Sequence, residues 1–173
     1  MNQKTIAIVV IAVVIVAVIG VAAYYMLGTD TGEPEPTPTP TPTGIEGASS
    51  LQFTVSATEG ESAGTAIYSA KNIGTDDMMI RIEFEMDPES LIYIVNGATD
   101  EAWGYEGGQW VDYSDTFADQ WDMWELAYQG YTDQLSTWTS GDYTYDDTGG
   151  ATVTVSDITV NGTLEDSLFE GGA

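Results

Sequence analysis

The chain has 173 residues and carries 28 acidic against three basic side chains, a formal charge of −25. A protein this acidic repels phosphate backbones, which excludes nucleic acid as a partner, and it suits surroundings of high salt, where screening relieves self-repulsion. Cysteine and histidine are both absent, which removes disulfides, thiolate chemistry, a lipid-anchoring cysteine, the commonest general base and the commonest transition-metal ligand.

Residues 1–5 form a short N-terminus carrying Lys4. Residues 6–27 are 22 consecutive apolar or small residues, and at about 1.5 Å per residue they reach roughly 33 Å, enough to span the hydrocarbon core of a bilayer as a helix. Lys4 before the run and Asp30, Glu33 and Glu35 after it predict a single-pass anchor in the cell membrane, with the N-terminus cytoplasmic and the bulk of the chain extracytoplasmic. Two alternatives stay open. Small residues around Gly20 to Ala23 offer a signal-peptide cleavage site, although the apolar run is longer than such peptides use. A pilin-like leader would want Gly or Ala after the basic residue and a Glu soon after, where this chain has Thr5 and an unbroken apolar run.

Residues 28–44 form a stalk. Proline alternates with Glu and Thr from Glu33 to Thr43, which forces extended polyproline II and makes a semi-rigid spacer holding the following domain about 30 Å off the membrane.

Residues 45–173 form an acidic extracytoplasmic domain, large enough for one core. Its first part alternates with period two. Leu51, Phe53 and Val55 share a face, then Ala66, Tyr68 and Ala70. Next come Met78, Ile80, Ile82, Phe84 and Met86, opposite Met79, Arg81, Glu83 and Glu85. After a turn at Asp87–Ser90, the strand Leu91–Val95 is apolar on both faces and so expects cover on both sides. Asn96-Gly97 is a turn signal. Glu101–Tyr105 and Gln109–Tyr113 form a hairpin, as do Asp142–Asp146 and Ala151–Val160. In the last strand the apolar phase slips between Val155 and Ile158, so a bulge is expected near Ser156-Asp157. The tail from Asn161 reads as polar and frayed, with Leu164, Leu168 and Phe169 as the residues able to dock.

Between the two hairpins lie Phe117, Trp121, Trp124, Tyr128, Tyr131, Leu135 and Trp138, at spacings of four and three in alternation. This is one apolar stripe on a helix of about 20 residues. Ser114 or Asp115 is placed to cap it, Gly141 to stop it, and Gly130 is its weak point. The expected fold is therefore α+β: a curved antiparallel sheet of about eight short strands wrapped on one long amphipathic helix, with the other sheet face wet and acidic, preceded by the N-terminal transmembrane helix.

Leu91-Ile-Tyr-Ile-Val-Asn-Gly97, followed by Glu101-Ala-Trp-Gly-Tyr-Glu-Gly-Gly-Gln-Trp110, resembles the strand, turn and displayed-aromatic meander of LolA-like lipoprotein carriers and related lipid-binding surface lipoproteins. That resemblance implies a half-barrel sheet closed by helices over an apolar cavity. This chain departs from the family in being shorter, in showing one clear helix and in lacking a lipid-anchoring cysteine. The order of anchor, Pro-Thr stalk and acidic β-domain is also similar to small exported surface proteins of methanogenic and halophilic archaea.

No catalytic constellation stands out, and the reading is of a protein that is not an enzyme. With 25 acids beyond the stalk, no pair of carboxylates points to glycosidase chemistry. The clusters Asp76-Asp77 and Asp142, Asp146, Asp147 do not fit calcium-loop spacing and read as solvated surface acids, so no metal and no cofactor is expected. Asn161-Gly162-Thr163 is a glycosylation sequon on an exported domain. Two functions follow. One is a membrane-anchored domain binding a lipid or other apolar small molecule in a sheet–helix cavity lined by Trp103, Trp110, Trp121, Trp124, Tyr128 and Trp138. The other is a structural or adhesive surface protein with a filled core and no small-molecule ligand. The lipid bilayer is the partner of residues 6–27, and no protein partner is indicated.

Overall fold

The computed structural model describes residues 44–57, 64–85, 90–147 and 150–172. Eight strands appear in chain order: β1 (Ser50–Ala57), β2 (Gly64–Lys71), β3 (Met79–Glu85), β4 (Leu91–Asn96), β5 (Glu101–Glu106), β6 (Gln109–Asp112), β7 (Tyr143–Asp146) and β8 (Thr152–Val160). Helix α1 (Phe117–Gln134) lies between β6 and β7, flanked by 3₁₀ turns at Ser114–Thr116 and Leu135–Thr137. A further 3₁₀ turn, Asp166–Phe169, closes the chain. The strands form one sheet in the order β6-β5-β4-β3-β2-β1-β8-β7, antiparallel at every pairing. Six strands thus run as a meander, α1 carries the chain back, and the β7–β8 hairpin adds to the free side of β1. The fold is α+β. The expected spanning segment 6–27 and the stalk up to Thr43 lie outside the described residues; no described helix is long and apolar enough to cross a membrane.

The period-two alternation explains the core. Leu51, Phe53 and Val55 of β1, Tyr68 and Ala70 of β2, Ile80, Ile82 and Phe84 of β3, Tyr93 and Val95 of β4, and Val153 and Val155 of β8 are buried on the face that meets α1. The apolar slip in β8 is a bulge: the register against β1 shifts between Gln52 and Thr54, and Asp157 takes a positive φ of 53°. The extra residue lets Val155 and Val160 both face the core, which strict alternation forbids.

Helix α1 has the predicted stripe, with Trp124, Tyr128 and Tyr131 buried, Leu135 buried in the following turn, and Phe117, Trp121 and Trp138 half-buried. Ala127 joins them. Gly130 lies inside the helix without dividing it. The expected caps are corrected. The N-terminal side has no side-chain cap, because Ser114 Oγ instead accepts from the Ala102 amide and Asp112 accepts from the Ser114 amide. Those bonds fasten the helix start to β5 and to the end of β6 rather than to its own first turn. Gly141 does not end the helix, which tightens at Leu135–Thr137; its carbonyl accepts the Trp138 indole N–H at 2.7 Å.

The outer face is not uniformly wet and acidic. Over β7, β8, β1 and β2 it is a row of hydroxyls, Thr144, Thr154, Ser56 and Thr65, in cross-strand register. Over β4 and β5 it carries the apolar Ile92, Ile94, Trp103 and Tyr105, and part of this patch is covered. The tail that reads as frayed docks there: the turn Asp166–Phe169 packs on β3 and β4, and both Phe169 and Ile94 are 1% exposed. This is the second cover that the doubly apolar β4 requires. Lys71 and Arg81, the only basic residues after Lys4, hold the tail. Lys71 Nζ donates to the Leu164 carbonyl at 3.0 Å and pairs with Asp166. Arg81 donates to the Leu168 carbonyl at 3.4 Å and to Glu83 at 2.7 Å.

Gly171 completes this cover, because a Cβ there would stand 2.1 Å from Cγ of Trp103. Gly171→Ala should therefore lift the end of the tail at a cost of about 1 kcal/mol or more. Faster protease trimming of the C-terminus and a red-shifted tryptophan emission are the expected readouts. Unchanged trimming would mean that the tail does not lie on Trp103.

Candidate functional site

The six aromatic residues proposed to line a cavity are placed in three environments. Trp124 and Tyr128 are in the core between α1 and the sheet. Trp124 is 1% exposed, stacked on Tyr93 with ring centroids 4.7 Å apart and planes 29° from parallel, with Phe84 at 6.3 Å. Tyr128 lies 6.2 Å from Phe53, which itself stacks on Tyr68 at 5.2 Å and 7°. Tyr131 closes that group, 5.1 Å from Tyr68. Trp121 sits further along the stripe beside the β4–β5 turn, where a Cβ on Gly97 would come within 3.4 Å of its ring. Its indole N–H donates to Glu125 one helical turn on.

Trp103 and Trp110 lie on the opposite face of the sheet. Trp103 pairs across strands with Ile94 and Asp112, and Trp110 with Tyr105, whose ring it meets edge-on at 5.3 Å. The sheet separates these two indoles from the four aromatics of the helix side, so the structure does not bring the six together. Even spacing cannot distinguish them, because the face of β5 and β6 depends on the register inherited from β4.

A site that the sequence reading missed lies at the end of β5. Glu106 Oε1 accepts from both Tyr93 Oη at 2.8 Å and Tyr113 Oη at 3.1 Å. Burial first, and then the Glu106 carboxylate, pushes both phenols above their ordinary pKa. Space for the cluster comes from Gly104, where a Cβ would stand 2.8 Å from the Tyr113 ring. The glycine two positions before an acid on the inward face was the available signal. Chemically the carboxylate keeps two phenols neutral and fixes Tyr93 beneath Trp124. This is a packing device, with no nucleophile among these contacts.

Trp138 is at the far end of the helix segment. With Gly44, Glu46, Gly47, Thr139, Val160 and Asn161 it lines an open surface cleft of about 410 Å³. Asn161 is exposed, with a positive φ of 55°. Its Oδ1 accepts from the Ser49 amide at 2.8 Å and the Ser49 hydroxyl at 3.0 Å.

Among the described residues no three acidic, histidine or cysteine side chains are grouped to hold a metal ion. Asp146 and Asp147 instead serve the β7–β8 hairpin: Asp146 accepts from the Thr152 hydroxyl and Asp147 from the Ala151 amide. Comparison with protein-family models, with curated proteins and with solved structures found no match to this chain.

Proposed function

We propose that this chain is a structural or adhesive cell-surface protein: residues 6–27 anchor it in the membrane, the Pro-Thr stalk lifts it, and a filled α+β domain acts through its surface. The observation that carries this reading is the packing between sheet and helix. Trp124, Tyr128 and Tyr131 meet Phe53, Tyr68, Phe84 and Tyr93 ring against ring. An apolar ligand would have to displace those rings, each contributing roughly 1.5–3 kcal/mol of burial. Acidic side chains that remain available to partners are exposed elsewhere, such as Asp119, Asp122 and Asp133 on the solvent side of α1.

Residues 44–173 carry the whole sheet and its core, so the test can use them alone. Titration with a fluorescent fatty acid should give no saturable uptake, and native mass spectrometry of the domain from its own cells should give the bare polypeptide plus any glycan. A stoichiometric bound lipid would overturn the reading in favour of a carrier or receptor with an apolar cavity.

A further inference from the structure

We propose that Asn161 carries a glycan whose first sugar is seated in the cleft against Trp138; this rests on the extracytoplasmic placement proposed above.

The turn explains the asparagine but not the sequon. Asn161 tolerates its left-handed backbone as few residues do, its amide donates to the Ser50 carbonyl at 2.8 Å, and Oδ1 is held by Ser49. Thr163, two residues on, has no such role. It is exposed, and among the described residues its hydroxyl makes no hydrogen bond. A hydroxyl at that position is what the Asn-x-Ser/Thr acceptor requires. The Asn161 amide nitrogen is equally unused: with Oδ1 anchored, Nδ2 donates to nothing among the described residues. Asn161 also lines the cleft of about 410 Å³ together with Trp138. The indole N–H of Trp138 is already spent on the Gly141 carbonyl, so its contribution to the cleft is an apolar ring. A sugar's C–H face packs on such a ring, while Glu46 and Thr139 on the rim offer oxygen to its hydroxyls.

The modification is a group transfer from a lipid-phosphate-linked glycan. Asn161 Nδ2 forms a bond to the anomeric carbon of the sugar, and the bond from that carbon to the phosphate oxygen breaks. The lipid phosphate leaves with the bonding electrons, and Nδ2 loses one proton.

The test uses the full chain purified from its own cells. Peptide mass spectrometry should find sugar mass on the peptide holding Asn161. Thr163→Ala should abolish it and Thr163→Ser should retain it, both without loss of fold because Thr163 is exposed and its hydroxyl makes no hydrogen bond among the described residues. Trp138 should be better shielded from acrylamide in the glycosylated protein than in Thr163→Ala, and that difference should vanish in a Trp138→Phe background. Protease added to intact cells reports placement separately. An unmodified Asn161 on a domain the protease reaches overturns the glycan alone. An unmodified Asn161 on a domain it does not reach overturns the extracytoplasmic placement as well. A glycan present with equal quenching overturns the seat in the cleft.

Discussion

Replacing Trp124 with alanine should destabilise the domain by about 3–5 kcal/mol, the range for removing a fully buried tryptophan. Its ring is 1% exposed and stacked on Tyr93, so the void left behind lies between helix and sheet, where neither partner can move without disturbing the other. Tyr93 is tied to Glu106 and cannot swing in to fill the gap. A domain of this size has about 5–15 kcal/mol in total, so a large share of its stability is at stake. Urea unfolding should show a lower midpoint at an unchanged slope. Trp110→Ala, at the edge of the outer face, should cost about 1 kcal/mol or less, because that ring is only half-buried. Equal losses at the two positions would contradict the filled interface.

Stability should also fall steeply above about pH 10. Burial pushes the Tyr131 phenol up to about 12 and raises those of Tyr68 and Tyr128 as well. In the folded protein these groups keep their protons at a pH where the unfolded chain releases them. The unfolded state then binds fewer protons, so raising the pH favours it. The contribution is fully present below the unfolded value near 10 and is lost as pH climbs toward and through the folded values. Each such group adds a slope of about 1.4 kcal/mol per pH unit, or about 4 kcal/mol per unit for the three together. Urea midpoints should be flat from pH 7 to about 9 and then decline, with phenolate absorbance from the buried group appearing only on unfolding. A midpoint that stays flat through pH 11 would place these hydroxyls in contact with water.

Much of this architecture was legible because it rests on short-range periodicity. The alternation in β3 and the stripe from Phe117 to Leu135 each satisfy one period, and both buried faces agree with it over the described residues, Met86 lying outside them. The slip in β8 was visible as a phase error, and the bulge at Asp157 accounts for it. Long-range placement was not legible. Nothing in Glu101–Trp110 states which face of the sheet Trp103 occupies, since that follows from the pairing of β5 with β4. The tail misled for a related reason. Its polar residues dominate its composition, while its docking depends on Phe169 and Gly171 meeting Ile94 and Trp103, and on two cations more than 80 residues earlier in the chain. Glu106 was one acid among 25 past the stalk; only the geometry around Gly104 distinguishes it.

The position of β1 has a consequence for how the molecule is made. On one side β1 pairs with its chain neighbour β2, and on the other with β8, where Leu51 opposes Val160. During synthesis the meander from β1 to β6 can assemble hairpin by hairpin, each closing a short loop. One flank of β1 meanwhile stays unpaired until β8 has emerged, and an unpaired flank is a template for joining another chain. Of the eight strands described, the last to appear, β8, is thus the one that shields the first, β1. A nascent chain interrupted before β8 would expose the edge of β1 and part of the aromatic interior together, which makes late truncation, rather than early truncation, the hazardous failure for this fold.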